Sequence, residues 1–416
     1  MSGEGKGASE AVDGADGGAV VGSDGGARGA ARGEGGGAVE SRDGTAAGSR
    51  DGAAGGVDVG AQRAPSTGVA GPEAAREVIN WYREHARDLP WRRPGTSPYA
   101  VLVCEVMSQQ TPVERVLPAW REWLDRWPDP AALAAADTGE VLRVWGRLGY
   151  PRRALRLIEM ARTVVEQHNG VLPQDGDALL ALPGIGPYTA GAVLAFAHGR
   201  RALTLDTNVR RVLARVHAGT ALAPPTLTRA ETDRADALQP ASDTEGSIWS
   251  AAVMELGALV CTARAPRCDQ CPWRDRCAWL AAGQPADEHA SRRRTQSWHG
   301  TDRQARGLVM ARLREAPAGT AVGREVLLQA AALAGSRGAE PADGPTRADR
   351  AGRADRDQGH RADHVAPAGR SGVAGRADRV GRPDQVDPDQ PQRVLAGLLA
   401  DGLISTGDGG GTYCLP

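Results

Sequence analysis

Between Glu73 and about Gly283 the sequence predicts an all-α fold, and three observations carry that reading. Apolar residues recur at three- and four-residue spacing in "EVINWYREHARDL", "SPYAVLVCEVMSQQ", "ERVLPAWREWLDRW" and "IWSAAVMELGALV". Proline and glycine punctuate the intervals, where helices must start and stop. No convincing apolar–polar alternation of the strand type occurs in this region. About 210 residues of such pattern are enough for one or two cores.

The elements follow in order. Residues 1–70 hold 21 of the 55 glycines and no Phe, Trp or Tyr; the first aromatic residue is Trp81. A Gly/Ala/Asp stretch buries too little apolar surface to offset roughly 1–2 kcal/mol of backbone entropy per residue, so a disordered tail is expected. It lacks the apolar core of a signal peptide, and no run of 18 apolar residues occurs elsewhere. The expectation is a soluble cytoplasmic protein with no membrane partner. Residues 73–288 form the helical core. After it, "GTDRQARGLVMARLREA" reads as a helix, and "QRVLAGLLADGLISTGDGGGTYCLP" as a helix followed by a hairpin with "GDGGG" at its tip. Residues 299–335 and 392–416 together predict a small winged-helix-like unit. Between them, residues 336–391 carry "RAD" at Arg347, Arg353, Arg361 and Arg376 with irregular period, which reads as a disordered mixed-charge insertion rather than a solenoid. No feature calls for an obligate oligomer, so a monomer is expected.

The net charge is −1, but its distribution is uneven. Arg143, Arg147, Arg152, Arg153, Arg156 and Arg162 face a single acid, Glu159, within that span; Arg200, Arg201, Arg210, Arg211 and Arg215 face only Asp206. Such patches suit phosphate contacts; a solvated helix face is the plainer explanation of any one cluster. Lysine is confined to Lys6.

Four of the six cysteines are bunched as C-x6-C-x2-C-x5-C: Cys261, Cys268, Cys271 and Cys277. Close-spaced thiols in a cytosolic chain more often hold metal than form disulfides. Four thiolates suit a structural zinc or a cubane iron–sulfur cluster. One tight pair between two longer spacers favours the cluster over the two-knuckle zinc pattern.

That spacing resembles the [4Fe-4S] loop of the endonuclease III and MutY DNA glycosylases, and "LPGIGPYTAGAVLAFA" resembles the helix-hairpin-helix of the same superfamily. In the turn, Gly184 and Gly186 are expected to take conformations that a Cβ would block and to let the backbone approach a partner closely. The N–H groups of the turn and the next helix would then suit a DNA phosphate. Twenty residues beyond Gly186, "LDTNVRRVLARV" places Asp206 where the family has its essential aspartate. The resemblance spans residues 73–285 and implies a two-lobed fold, a six-helix barrel lobe beside an iron–sulfur helical lobe. Members that cut the DNA backbone carry a lysine where this chain has Tyr188. The expected enzyme therefore removes a base without Schiff-base lyase activity.

"CEVMSQQTPVERV" resembles the MutY signature and puts Glu105 at the family's catalytic glutamate. The resemblance implies an adenine glycosylase of base excision repair, acting on double-stranded DNA with A:8-oxoguanine or A:G mispairs, in the bacterial cytoplasm beside the nucleoid. Glu105 would be the general acid and Asp206 the stabiliser of the cationic sugar, with Tyr188 and Asn208 positioning them. "LPWRR" resembles the segment of the adenine pocket, with Trp91 and Arg92 as candidates. Gln109 and Gln110 match the family's wedge glutamines, and "RLGYPRRA" offers Tyr150 as the intercalating aromatic. A mismatch thymine glycosylase of the same superfamily and a non-catalytic iron–sulfur DNA-binding protein are the alternatives. The chain departs from the pattern at Ser108, Pro151 and Ala251. It also lacks a recognisable Nudix-like C-terminal domain, so weaker discrimination of 8-oxoguanine from guanine is expected.

Overall fold

The computed structural model describes residues 69–290, 298–334, 387–407 and 409–416. Most of the expected tail (1–68) and of the expected insertion (336–386), with residue 335 of the expected C-terminal unit, lies outside these residues. Two boundaries move. Val69, placed in the tail by composition, is buried in the core, because an apolar residue just before the first helix has a face to pack on. The C-terminal helix begins at Gln390, two residues before the expected 392, where Pro391 fits the first helical turn.

The helices run α1 (Pro72–His85), α2 (Pro98–Ser108), α3 (Val113–Arg126), α4 (Pro130–Ala134), α5 (Thr138–Trp145), α6 (Arg152–His168), α7 (Gly176–Ala181) and α8 (Pro187–His198). Then come α9 (Thr207–Leu213), drawn out by a π-helical turn over Ala214–Ala218, α10 (Arg229–Leu238), α11 (Asp243–Leu259) and the short α12 (Ala278–Ala281). Their starts follow side-chain chemistry. Ser97, Asp129, Asp137, Asp175, Asp206 and Ser242 each accept a first-turn backbone N–H, and Thr228 with Glu231 forms a full capping box.

Two separate apolar cores make two lobes. The first gathers α2 to α8 around Leu102, Met107, Trp123, Trp145 and Leu157. The second joins α1, α9, α10 and α11 around Val78, Val212, Trp249 and Leu256, and Trp273 of the cysteine loop closes it. Since α1 precedes the first lobe in sequence but packs in the second, the chain crosses between the lobes on either side of α2–α8.

The C-terminal unit comprises α13 (Asp302–Glu315), β1 (Val322–Gly323), α14 (Arg324–Ala332), α15 (Gln390–Ala400), β2 (Ser405–Thr406) and β3 (Thr412–Cys414). The sheet is antiparallel in the order β1-β3-β2, pairing Val322 with Tyr413 and Ser405 with Cys414. It does not stand alone: Val309, Leu313, Leu327, Leu398 and Ile404 share the apolar cluster of the first lobe. Arg143 on α5 caps the end of α13 by donating to the carbonyls of Arg314 (2.9 Å) and Ala316 (2.8 Å). No described helix is long and apolar enough to cross a membrane.

Candidate active site

Glu105 lies one turn from the end of α2. Tyr99 to Cys104, Val106 and Met107 are all buried on that helix, and Glu105 alone of the run keeps a partly open side chain. Tyr188, in the first turn of α8, donates its hydroxyl to Glu105 Oε2 at 2.8 Å. Burial pushes the Glu105 carboxyl up to about 7; the Tyr188 hydrogen bond and the Arg92 charge pull it down, and the Asp206 charge pushes it further up. Burial, Glu105 and Asp206 hold the Tyr188 hydroxyl well above its ordinary value, so it stays a donor.

Asp206 is the N-cap of α9, and that role fixes its carboxylate. Oδ1 accepts the Val209 N–H at 2.7 Å and Oδ2 accepts from Asn208 Nδ2 at 2.9 Å. Asn208 Oδ1 in turn accepts from Arg211 Nη2 at 2.8 Å, and Arg211 also donates to the carbonyls of Gly257 and Cys261, each at 2.8 Å. The carboxylate is thereby tied to α11 and to the cysteine loop. Two glycines permit the approach. A Cβ at Gly257 would stand 2.7 Å from Asn208 Cβ, and one at Gly191 would stand 2.1 Å from the Leu203 carbonyl oxygen. Gly191→Ala must therefore push the 203–206 segment away from α8. The expected outcome is a fall in melting temperature from a core clash of about 1–3 kcal/mol.

Arg92 reaches the same neighbourhood from the 3-10 turn Pro90–Arg92. Its Nη2 contacts Glu255 Oε2 at 2.8 Å and its guanidinium lies 5.6 Å from the Tyr82 ring centre. Glu255 is completely buried on α11, and Arg87 grips it with Nε on Oε1 and Nη2 on Oε2, both 2.8 Å. Glu255, Arg87 and Tyr82 were not among the candidates. A signal existed: Glu255 is a lone acid in the apolar stretch "IWSAAVMELGALV", and a buried acid requires a cationic partner. Trp91 is partly buried and packs edge-on against Trp120 at 5.6 Å, so it belongs to the first core as well as to the site's margin.

A second group surrounds the end of α2. Gln110 and Tyr150 both adopt left-handed backbone, at φ 56° and 46°, which side chains other than Asn, Asp and Gly rarely take. Arg153 stitches their loops together. Nη1 donates to the carbonyls of Val106 (2.6 Å) and Gln109 (2.7 Å), Nη2 to those of Leu148 (3.1 Å) and Gly149 (3.0 Å). Thr111 Oγ1 adds a bond to the Leu148 carbonyl at 3.1 Å. Arg153 thus joins the Gln109 end of α2 to the loop that leads into Tyr150.

Two expectations need correction. Gly184 does sit at φ 78°, with a would-be Cβ 2.9 Å from Arg156 Cβ, but Gly186 caps α8 at an ordinary φ of −99° with open space where a Cβ would go. Only Gly184 is required by the fold; the turn folds with a side chain at 186. The second arginine run is likewise not a free basic surface, whereas Arg147, Arg152, Arg156 and Arg162 of the first are exposed. Arg200, Arg201, Arg210, Arg211 and Arg215 all donate to internal carbonyls or pair with acids, Arg215 for instance to Ala221, Thr262 and Ala263. A planar fork with five donors can collect several carbonyls, so this sequence uses arginine as interior mortar.

Cys261, Cys268, Cys271 and Cys277, none of them in a disulfide, line one cavity with Val212, Leu256, Val260 and Trp279. Arg215 Nη1 approaches Cys261 Sγ at 3.4 Å and Gln284 Nε2 approaches Cys268 Sγ at 3.8 Å. Four soft ligands, an apolar wall and N–H donors to sulfur fit an iron–sulfur cluster.

Residues 103–235 match the HhH-GPD superfamily base excision DNA repair protein family, and residues 261–277 match the iron–sulfur binding domain of endonuclease III. An adenine DNA glycosylase of Mycobacterium tuberculosis (strain ATCC 25618 / H37Rv) is 50% identical over 257 residues, covering 61% of this chain and 83% of that protein. One of Mycolicibacterium smegmatis is 53% identical over 239 residues, covering 58% and 80%. The chain belongs to the adenine DNA glycosylase family. The chain carries the [4Fe-4S] cluster domain, and its four clustered cysteines fall within that match. A thymine/uracil-DNA glycosylase of Pyrobaculum aerophilum is 38% identical over 202 residues, covering 47% of this chain and 86% of that protein, so the adenine glycosylase family shares a wider superfamily with enzymes named for other bases.

Proposed function

We propose that this protein is a monofunctional DNA glycosylase that hydrolyses the N-glycosidic bond of adenine mispaired with 8-oxoguanine or guanine. The observation that carries the reading is the pairing of Tyr188 with Glu105 at 2.8 Å, on a carboxyl raised to about 7, in electrostatic reach of Asp206. A carboxyl titrating there holds its proton in about half the molecules at neutral pH and donates it readily. Tyr188 occupies Oε2, which leaves Oε1 to protonate the imidazole edge of an extruded adenine. Protonation makes the purine a leaving group. As the bond breaks, positive charge grows on the sugar, and the Asp206 carboxylate, already fixed by Val209 and Asn208, shields it without reorganising. Glu105, then deprotonated, takes a proton from the water that completes hydrolysis. Cys261, Cys268, Cys271 and Cys277 would hold the cluster, which would cross-link the 261–277 loop, whose Cys261 carbonyl holds Arg211 and through it Asn208.

The end of α8 that would form a Schiff base carries Tyr188, and lysine occurs in this chain only at position 6. Scission of the abasic product therefore requires alkali. Arg92 and Trp91 would contact the base, while Gln109, Gln110 and Tyr150 would fill the stack it leaves. Gly184 and Gly186 would receive a phosphate. Thymine needs no such protonation to leave, so a carboxyl tuned near neutrality favours the purine over the thymine reading.

The deciding experiment offers labelled duplexes with A opposite 8-oxoguanine, A opposite guanine and T opposite guanine, followed by alkali. Cleavage of both adenine duplexes only after alkali is expected. Cleavage of the T duplex alone, or scission without alkali, overturns the reading.

A further inference from the structure

We infer that Arg303, on the C-terminal unit, is a positioning residue that holds Tyr150 ready to enter the DNA stack; the inference rests on the function proposed above. Tyr150 is 40% exposed and stands on a left-handed backbone, a pose that an aromatic residue keeps only where its surroundings impose it. Two guanidiniums flank its ring. Arg153 lies 5.8 Å from the ring centre, from within the first lobe. Arg303 lies 5.3 Å from it, from α13, and is also 5.2 Å from the Trp298 ring centre. The ring is thus gripped by a residue that belongs to the lobe and by one that does not.

The grip is useful only if α13 is rigidly placed, and several contacts place it. Arg143 ties down its C-terminal end, as described. Arg306, one turn beyond Arg303, pairs with Asp401, and Arg152, two residues after Tyr150, reaches the same carboxylate at 3.4 Å. Asp401 therefore links α13, the end of α15 and the start of α6 at a point adjacent to the tyrosine. At the other edge of the unit, the chain passes so close to α5 that a Cβ on Gly139 would stand 2.9 Å from the Pro416 carbonyl oxygen. The C-terminal unit is an arm of the catalytic lobe that ends on the wedge residue. Preorganising Tyr150 lowers the conformational entropy lost when the ring inserts.

The test uses the full-length protein with cluster, comparing wild type, Arg303→Ala, Arg303→Lys, Tyr150→Ala and the double variant. Two readouts are taken on an A:8-oxoguanine duplex: the apparent Kd, and the fluorescence of 2-aminopurine placed next to the 8-oxoguanine, which brightens when that step is opened. Arg303→Ala is expected to weaken binding about 3- to 10-fold, the range of a cation–π contact, and to dim the opened-stack signal, with Arg303→Lys recovering part of both. In the Tyr150→Ala background the same change should add less than twofold. Equal losses with and without Tyr150 would mean that Arg303 acts on DNA or on folding directly and would overturn the inference, as would an unchanged fluorescence signal. Absence of adenine release by the wild type would instead refute the proposed function.

Discussion

Glu105→Gln is expected to lower the single-turnover rate of adenine release by about 10²–10⁴-fold, the worth of a positioned general acid, and at the same time to stabilise the protein. Both effects have one cause. The folded site holds the Glu105 carboxyl up to about 7 against an ordinary 4.5, chiefly by burial. A carboxyl raised on folding binds its proton more tightly in the native state, so stability is greatest at low pH and is lost as pH rises from about 4.5 through about 7. Above that the native state carries a poorly solvated charge. The full shift corresponds to roughly 3 kcal/mol, and partial solvent contact reduces it to about 1–3 kcal/mol. Glutamine keeps the acceptor for Tyr188 and removes the charge. Its melting temperature should therefore exceed that of wild type by about 3–10 °C at pH 8 and differ little at pH 4. Wild-type turnover should fall as pH rises through about 7, and the residual rate of Glu105→Gln should show no such limb. Equal melting temperatures at pH 8, or an undiminished rate, would remove Glu105 from the chemistry. Asp206→Asn is the companion variant. Asparagine caps a helix as well as aspartate does, so loss of turnover with an unchanged melting temperature isolates the carboxylate's charge.

Glu105, Tyr188 and Asp206 were singled out in the sequence by the resemblance of "CEVMSQQTPVERV", "LPGIGPYTAG" and "LDTNVRRVLARV" to family motifs, and the structure brings Tyr188 onto Glu105 and makes Asp206 the N-cap of α9. The two lobes could also be read, since helical periodicity survives in a single chain of residues. What the sequence does not display is the destination of a long side chain. Eleven arginines in two runs look like a surface charge, yet Arg153 spends its fork on carbonyls at the ends of α2 and α5, and Arg215 on carbonyls of the cysteine loop. The acceptors lie up to 48 residues away along the chain, and nothing in spacing points to them. Glycines divide the same way. Gly184 could be read from its turn, but Gly191 and Gly257, which let helices touch the Asp206 segment, sit mid-helix and become meaningful only once their neighbours are known. The attachment of the C-terminal unit to the first lobe was equally hidden, because its apolar residues show that they need a partner without naming it.

Glu255 carries the other large expected effect. Its carboxylate is completely buried on α11 and bridges Arg87 and Arg92, at 2.8 Å to each. Burial alone would raise its pKa, but the hydrogen bonds and charges of the two arginines overcome it and hold the group down to about 2. Glu255→Ala leaves two half-sheltered guanidiniums without a counter-charge, and breaking a buried pair in this way costs about 3–5 kcal/mol. The melting temperature should fall by roughly 6–15 °C. The pH dependence separates this from a simple cavity. A carboxyl depressed on folding contributes its stability above the ordinary value of 4.5, and the contribution drains away as pH falls from there towards about 2. Wild type and variant should therefore converge in melting temperature on acidification, which a packing defect alone would not produce. The site should report the change too. Arg92 is the cation that restrains the upward shift of Glu105; unanchored, it restrains less, and the basic limb of the rate profile should move to higher pH. A variant that loses stability but keeps the wild-type limb would show that Glu255 serves the fold alone, with Arg92 held in place by Tyr82 and the Arg87 carbonyl.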